Sequence, residues 1–413
     1  MSTVHVIGAG LAGLAAALSL AQAGRQVLLY EAGPAAGGRC RSYFDRGLGL
    51  RLDNGNHLLL SGNRRAMEYL EQIGARHTMG GPGVARFAFM DLATGERWTV
   101  APGRSRVPWW VMSRRRRVPG TRLRDYLALL ALRRAGSEAT VAGVLAHSGA
   151  LYHRLLEPLA IAALNTPPDR ALACLMARVM QDTLMQGGAA CVPSFPRSGM
   201  SESFIDPAVS WLKARGANLM LGRRVAGLRT AAGRVTGIET ADDCAPVAGD
   251  DAVVLATPAW VAAELLPGLV VPNQFEAILN VHFRATAAPG AESFTGLVGG
   301  TAEWVFVKPG VLSVTISAAS ALADLPAEEI AARTWPDVRA TFGLDAPMPP
   351  VRVVKERRAT FAATAEQEGR RPPARTGLAN LMLAGDWTAT GLPATIEGAI
   401  KSGRVAASAL LAA

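Results

Sequence analysis

The first thirty-one residues constrain this chain more than any later stretch. Val4-His5-Val6-Ile7 reads as a buried strand, and Gly8-Ala9-Gly10-Leu11-Ala12-Gly13 follows it. Leu14 to Ala23 is a helical run of alanine and leucine, and Gln26 to Tyr30 is a second strand that closes on Glu31. Strand, glycine turn, helix, strand and acid, in that order, describe a parallel βαβ unit. Gly8 permits the tight turn, Gly10 lets the backbone approach a pyrophosphate, and Gly13 lets the helix pack on the strand. The helix N-terminus, at Leu11 and Ala12, supplies N–H groups and a partial positive charge. Glu31 is placed to accept hydrogen bonds from adenosine ribose hydroxyls. The pattern predicts a dinucleotide site; the alternative is a glycine turn in some other α/β fold.

The same stretch has a second reading. Val6 to Gly24 carries no charge, so it resembles a membrane span or a signal peptide. It lacks a basic leader, and its glycines fall at the offsets just described. The expectation is a soluble or peripheral protein. A chain of 413 residues is long enough for two domains. The net charge of +10 comes almost wholly from arginine, since only Lys213, Lys308, Lys355 and Lys401 are lysines. Arginine dominance of this kind also follows from a GC-rich genome, so the charge alone names no partner. No nucleic-acid module is present, and nucleic acid is not expected. Cys40, Cys174, Cys191 and Cys244 are widely spaced, form no CxxC pair and sit with no histidines at metal spacing. Free thiols and no metal are predicted.

After Glu31 and Ala32 comes Gly37-Gly38-Arg39, where an arginine following two glycines can lie across a pyrophosphate. Leu52-Asp53-Asn54-Gly55-Asn56-His57 forms a polar loop. Near the other end of the chain, Leu381-Met382-Leu383-Ala384 reads as a strand that runs into Gly385-Asp386. A helix follows, starting near Thr395-Ile396-Glu397. These blocks resemble the superfamily of FAD-dependent amine oxidases and carotenoid desaturases. A further block matches more weakly, Val225 with the strand Ala252-Val253-Val254-Leu255-Ala256-Thr257-Pro258. The resemblance implies an α/β fold, an FAD-binding Rossmann-like (GR2-type) domain with an inserted substrate domain of mixed sheet plus helices. It also implies one extended FAD held at both ends. Gly8, Gly10, Leu11, Ala12, Gly13, Glu31 and Ala32 would take the adenosine end, with Val225 at the adenine. Gly38 and Arg39 would take the pyrophosphate. Asn56, His57, Gly385, Asp386, Pro393, Ala394, Thr395, Glu397, Gly398 and Ala399 would take the flavin end. No cysteine lies between residues 376 and 403, so the FAD is expected to be non-covalent.

The intervening segments are assigned to the substrate domain, residues 81–194 and 261–349. Residues 1–80, 195–260 and 350–413 are assigned to the FAD domain. Arg86 to Val100 reads as a hairpin turning at Thr94-Gly95, residues 121–188 as mostly helical, and residues 275–319 as strands. Eight arginines fall between residues 104 and 124, with Trp109 and Trp110 among them. That mixture suits an anionic membrane surface, on the cytoplasmic side of the inner membrane; a solvated basic loop is the other reading. Glu157-Pro158 to Asn165-Thr166 also has two readings. It lines an apolar tunnel with one polar group at the reacting position, or it is a helix start and a helix C-cap.

That stretch, together with Gly199 to Leu212 and the C-terminal block, resembles the bacterial hydroxysqualene dehydroxylases. The resemblance implies a cytoplasmic FAD-dependent oxidoreductase of squalene and hopanoid biosynthesis. Its substrate would be the hydrophobic isoprenoid hydroxysqualene, dehydroxylated to squalene by hydride from reduced flavin in a dry tunnel. No second GxGxxG is seen, so an external electron donor is expected. Candidates for the catalytic acid are Glu157, His57, Asp182 and Asp206, with Asn165 as a polar neighbour. A carotenoid-type desaturase is the first alternative, a flavin amine oxidase the second, and a prenyl-binding escort protein without FAD the third.

Overall fold

The computed structural model describes residues 2–412. The strand Thr3–Ile7 sits in the middle of a five-stranded sheet. Gln26–Glu31 and then Asn218–Leu221 lie on one side of it, with Ala252–Leu255 and then Leu381–Leu383 on the other. All four pairings are parallel. Such a sheet needs cover on both faces, which is why its central strands are apolar almost throughout. One face is covered by the helices Leu11–Gln22, Asp206–Lys213 and Ile396–Leu411. The other is covered by an antiparallel meander, Val225–Ala231, Arg234–Thr240 and Cys244–Pro246.

This arrangement accounts for the charge-free N-terminal run. The helix Leu11–Gln22 lies between the sheet and the C-terminal helix, so Leu14 to Leu18 are buried on every side. Small residues are needed where the two helices meet. A Cβ on Gly403 would stand 2.1 Å from the Ala12 carbonyl oxygen. Among the described residues no helix is long and apolar enough to cross a membrane.

A second sheet has seven strands in the order Val351–Phe361, Phe275–Phe283, Val311–Ile316, Trp304–Lys308, Phe294–Val298, Phe87–Asp91, Arg97–Val100. It is mixed, because Phe87–Asp91 pairs parallel to Phe294–Val298 while its other ladders are antiparallel. The hairpin from Phe87 to Val100 turns at Gly95 with φ +74°. On one face Leu279, Val281, Phe283, Val314 and Ile316 pack against the helix Ala327–Phe342. The opposite face carries Phe87, Phe89, Phe294, Trp304 and Phe306 and meets the helical segment between residues 121 and 182.

Two readings of the sequence are altered or decided here. Residues 351–361, assigned from sequence with the last third of the FAD domain, form an edge strand of the seven-stranded sheet. Their pattern is that of an edge, with Arg352, Arg357 and Arg358 outside. The stretch from Glu157 is a helix, Glu157–Leu164, closed by Asn165 in the left-handed conformation at φ +47°. Asn165 is a tertiary pin: its Nδ2 donates to Thr360 Oγ1 at 2.9 Å, and its Oδ1 accepts from the Ala318 amide at 2.6 Å.

The helix crossing gives a test. Gly403→Ala should destabilise the fold by about 1–3 kcal/mol through overpacking. Gly369→Ala, whose Cβ meets nothing within 4 Å, should be neutral or slightly stabilising. Thermal unfolding of the two variants side by side checks this.

Candidate active site

The turn from Gly8 to Gly13 separates three roles by space alone. Gly8 sits at φ +104°, and a Cβ there would stand 2.6 Å from the Ala256 carbonyl oxygen. A Cβ on Gly13 would stand 1.9 Å from the Gly8 carbonyl oxygen. A Cβ on Gly10 would meet nothing within 4 Å. The first and third glycines are therefore filled in by protein, and the second faces open space. No side chain caps the helix that starts there, so its first amides also face that space. Glu31 stands beside the turn, its carboxylate accepting from the Ala9 amide at 2.9 Å and the Gly33 amide at 2.7 Å.

The Gly37-Gly38 loop is laid against this turn. The Gly37 amide donates to the Ala9 carbonyl at 2.8 Å, and both glycines have positive φ. Gly38 lies beside Gly10, a Cβ on it standing 3.6 Å from the Gly10 Cα, and both Gly38 and Arg39 are exposed. Arg39 then crosses to the far end of the chain. Its Nη2 donates to Asp386 Oδ2 at 2.7 Å, and its Nη1 donates to the Ala359 carbonyl. Enclosure opposes the Arg39 charge, but Asp386 and Glu356 hold its pKa above the usual value.

The Asp386 loop is held from behind by Arg371. That side chain is fully buried and pairs with Glu368 at 2.7 Å. Its Nη2 donates to the carbonyls of Asp386 and Thr388 at 3.1 and 2.5 Å. Gly385 lies under the Trp387 ring, where a Cβ would be 2.2 Å from the indole nitrogen. The last helix begins at Ile396, and Thr395 Oγ1 accepts from the Gly398 amide at 3.1 Å. Pro393 and Ala394 lead into it, and Ala399 lies in its first turn, half-buried. The Glu397 carboxylate turns away, taking the Arg65 and Ala66 amides at 3.0 and 2.8 Å at the start of the helix Arg64–Gln72. Val225 is buried in one cluster with Ile7 and Tyr30.

A polar stripe crosses the face of the seven-stranded sheet opposite the helix Ala327–Phe342. Asn56 Nδ2 donates to Ser313 Oγ at 2.7 Å and to Thr315 Oγ1 at 3.0 Å. Thr315 Oγ1 donates to Asn280 Oδ1 at 2.9 Å, and Ser313 Oγ lies 2.7 Å from His282 Nδ1. Burial drops both His282 and His57 to about 4, so both rings are neutral at pH 7. At one end of the stripe Lys308 pairs with Asp53 at 2.7 Å. Burial alone would raise the Asp53 carboxyl, but Lys308, the Ser42 hydroxyl and the Met200 amide hold it below its usual value.

Residues 11–411 match the family described as flavin containing amine oxidoreductase. The chain belongs to this family, in the branch of the hydroxysqualene dehydroxylases. It is 45% identical over 411 residues to the hydroxysqualene dehydroxylase of Zymomonas mobilis, covering 100% of this chain and 99% of that protein. It is 47% identical over 408 residues to that of Sinorhizobium fredii, covering 99% and 98%. Identity to a probable zeta-carotene desaturase of Synechococcus elongatus is 25%, over 99% of this chain and 98% of that protein. Among solved structures, cyclohexylamine oxidase from Brevibacterium oxydans superposes with a TM-score of 0.70 at 16% identity, over 99% of this chain and 98% of that one.

A flavin-containing family needs a place for a flavin nucleotide, and the open side of Gly10 fits one. So does Asn56 Oδ1, which is buried without a hydrogen-bond partner. The acid candidates are scattered. Glu157 lies one-third exposed and pairs with His153 at 3.0 Å. Asp182 pairs with Arg178 at the surface, and Asp206 is exposed at a helix start. Sequence reasoning did not pick out Asn280, His282, Ser313, Thr315, Glu303 or Arg371. The first four had a signal. Asn280-Val281-His282 and Ser313-Val314-Thr315 alternate polar and apolar inside strands that are otherwise buried.

The glycine turn predicts opposite outcomes for neighbouring substitutions. Gly10→Val should fold with near wild-type thermal stability yet purify without flavin. Gly13→Val should lose the fold itself, because its side chain meets backbone. Flavin absorbance and circular dichroism on both variants check this.

Proposed function

We propose that the chain removes the hydroxyl group of hydroxysqualene reductively, giving squalene. End-to-end likeness to curated hydroxysqualene dehydroxylases carries this reading. The cofactor we assign is FAD, held without a covalent bond. Gly8, Gly10, Leu11, Ala12 and Gly13 would bind its pyrophosphate, with Arg39 and Gly38 beside them. Glu31 and Ala32 would take the adenosine ribose, and Val225 the adenine. Asp386, Gly385 and the helix start from Pro393 to Ala399 would take the flavin end, facing Asn56 and His57. When reduced and bound, FAD supplies the hydride. The chain's own residues orient the substrate and keep water out, through the apolar face around Phe89, Phe294, Trp304 and Phe306. Cys40 follows Arg39 directly, but it is buried in the core and burial raises its thiol well above the usual range, which disfavours a thioether to flavin. The electrons come from an external reductant.

The test is anaerobic. Photoreduced enzyme mixed with hydroxysqualene in detergent should reoxidise and yield squalene. If the oxidised enzyme instead bleaches with a polyene precursor such as phytoene, the desaturase reading replaces this one.

The same reading places the enzyme on the cytoplasmic face of an anionic membrane. Trp109 is 67% exposed, and Met112, Leu127 and Leu130 are each more than half exposed. Trp110, Val111, Val118 and Tyr126 point inward from the same segment and anchor it. None of the eight arginines from Arg104 to Arg124 forms an ion pair among the described residues. Exposed apolar tips among unpaired cations match an interfacial surface. At roughly 1 kcal/mol per basic residue, changing Arg114, Arg115, Arg116 and Arg117 to glutamine should weaken binding to phosphatidylserine vesicles at least tenfold. Equal sedimentation of variant and parent with vesicles would return these arginines to a solvated role.

A further inference from the structure

A closed ring of contacts frames the flavin end. Arg39 Nη2 donates to Asp386 Oδ2 at 2.7 Å. From Asp386 the chain runs through Pro393 and Thr395 into the last helix, Ile396–Leu411. On its other side, the Arg39 carbonyl accepts from Asn54 Nδ2 at 3.3 Å. From Asn54 the chain runs through Asn56 and His57 to the helix Arg64–Gln72. One side chain joins the two arms. Glu397 accepts from the Arg65 amide at 3.0 Å and from the Ala66 amide at 2.8 Å, one on each carboxylate oxygen. Asn56, His57, Asp386 and the stretch from Pro393 to Glu397, all assigned to the flavin end, lie on this ring.

Local sequence explains why the bond forms across the ring. The helix Arg64–Gln72 opens on two arginines, with no acid in its first turn and no side-chain cap of its own. Asn63, at its N-cap, accepts instead from the Leu60 amide at 2.8 Å. The first amides of that helix therefore need an acceptor from elsewhere, and a carboxylate suits them. The last helix does not need Glu397 for itself, because Thr395 Oγ1 takes the Gly398 amide at 3.1 Å. The chain between His57 and Arg64 has little slack. Leu59 and Leu60 pair with Ser194 and Pro193. The Ser61 and Gly62 amides donate to the Val192 and Ala190 carbonyls at 3.0 and 2.8 Å.

We propose that Glu397 is a positioning residue that sets the distance between the two walls of the flavin end. It acts through the two helices and not on the cofactor itself. The wall with Asn56 and His57 moves with the helix Arg64–Gln72, and the wall from Pro393 to Thr395 moves with the last helix. The proposal rests on the FAD reading and not on the choice of substrate. Misplacing a reacting group by about 1 Å costs roughly 100-fold in rate, so transfer between flavin and substrate requires these walls to be fixed. A second link joins the same helices, Glu68 with Arg65 at 3.0 Å and with Arg404. It lies more than a turn further along each helix, away from the ring.

The test measures binding of two probes to the full chain freed of its flavin. One is FAD. The other is ADP-ribose, which carries the adenosine and pyrophosphate end without the flavin. Glu397→Gln should weaken FAD at least about tenfold, through loss of a charged acceptor shared by two amides, and leave ADP-ribose unchanged. Removing a negative charge near an anionic cofactor would by itself tighten binding, so a fall reports the lost clamp. Glu68→Gln breaks the exposed second link and should leave both probes unchanged. Unchanged FAD affinity in Glu397→Gln overturns the proposal. So does an equal loss for both probes, which marks a role in the fold alone, and so does an equal FAD loss in Glu68→Gln. If Glu397→Gln does not fold, Glu397→Asp decides. It keeps the charge but is one methylene too short to hold both amides, so it should weaken FAD and spare ADP-ribose; unchanged FAD affinity there sinks the idea. A wild-type chain that takes up no FAD overturns the proposal and the cofactor reading together.

Discussion

The Arg39–Asp386 ion pair is the contact on which the site depends. It joins segments 347 residues apart, and it does so beside the one glycine of the N-terminal turn that faces open space. Asp386 is nine-tenths buried, so its carboxylate needs a partner, and losing one would cost at least about 1–3 kcal/mol. The loop that carries it has few alternatives. Gly385 is fitted beneath the Trp387 ring, and Arg371 grips the carbonyls on either side. Neither end of the chain makes a binding site alone. Closing the sheet with Leu381–Leu383 brings the last helix against the first, and the small residues Gly403, Ala12 and Ala16 set how close that approach is.

The second sheet divides labour between its faces. Toward the helix Ala327–Phe342 it is mostly apolar, as a core face should be. Toward the helical segment it is apolar at the Phe294–Phe306 side and polar along Asn280, His282, Ser313 and Thr315. Burying that many polar groups costs free energy unless each has a partner. Here they mostly partner one another, through Asn56. The loop carrying Asn56 and His57 belongs to the N-terminal part of the chain, so the polar stripe also docks the two sheets. The neutral histidines follow from the same enclosure, with repulsion from Lys308 at both rings and from Arg39 at His57.

What was legible in the sequence was local. The βαβ unit, the Gly37-Gly38-Arg39 loop, the returning strand at Ala252 and the helix after Thr395 each carry a signal within a dozen residues. What was not legible depends on partners far along the chain. The resemblance assigns Glu397 to the flavin end, and only the structure shows its carboxylate taking the amides at the start of the helix Arg64–Gln72. Asn165 reads equally as a tunnel group or a cap, and only Thr360 and Ala318 decide that. The strand Val351–Phe361 is rich in charge, and only its pairing with Phe275–Phe283 shows that it is the edge of the second sheet. Arg371 carries no motif. Its importance is that, though buried, it holds Glu368 and the carbonyls of the Asp386 loop.

Burial bears on how such a site manages charge. A cationic intermediate in an apolar layer is exposed to capture by water and by any free carboxylate. The fold neutralises almost every buried acid with an arginine or lysine, which keeps those acids ionised and unable to donate. An acid that must donate has to be left without a cation, and burial then does the rest by penalising its ionised form. Such a residue is invisible to a search for ion pairs or metal ligands.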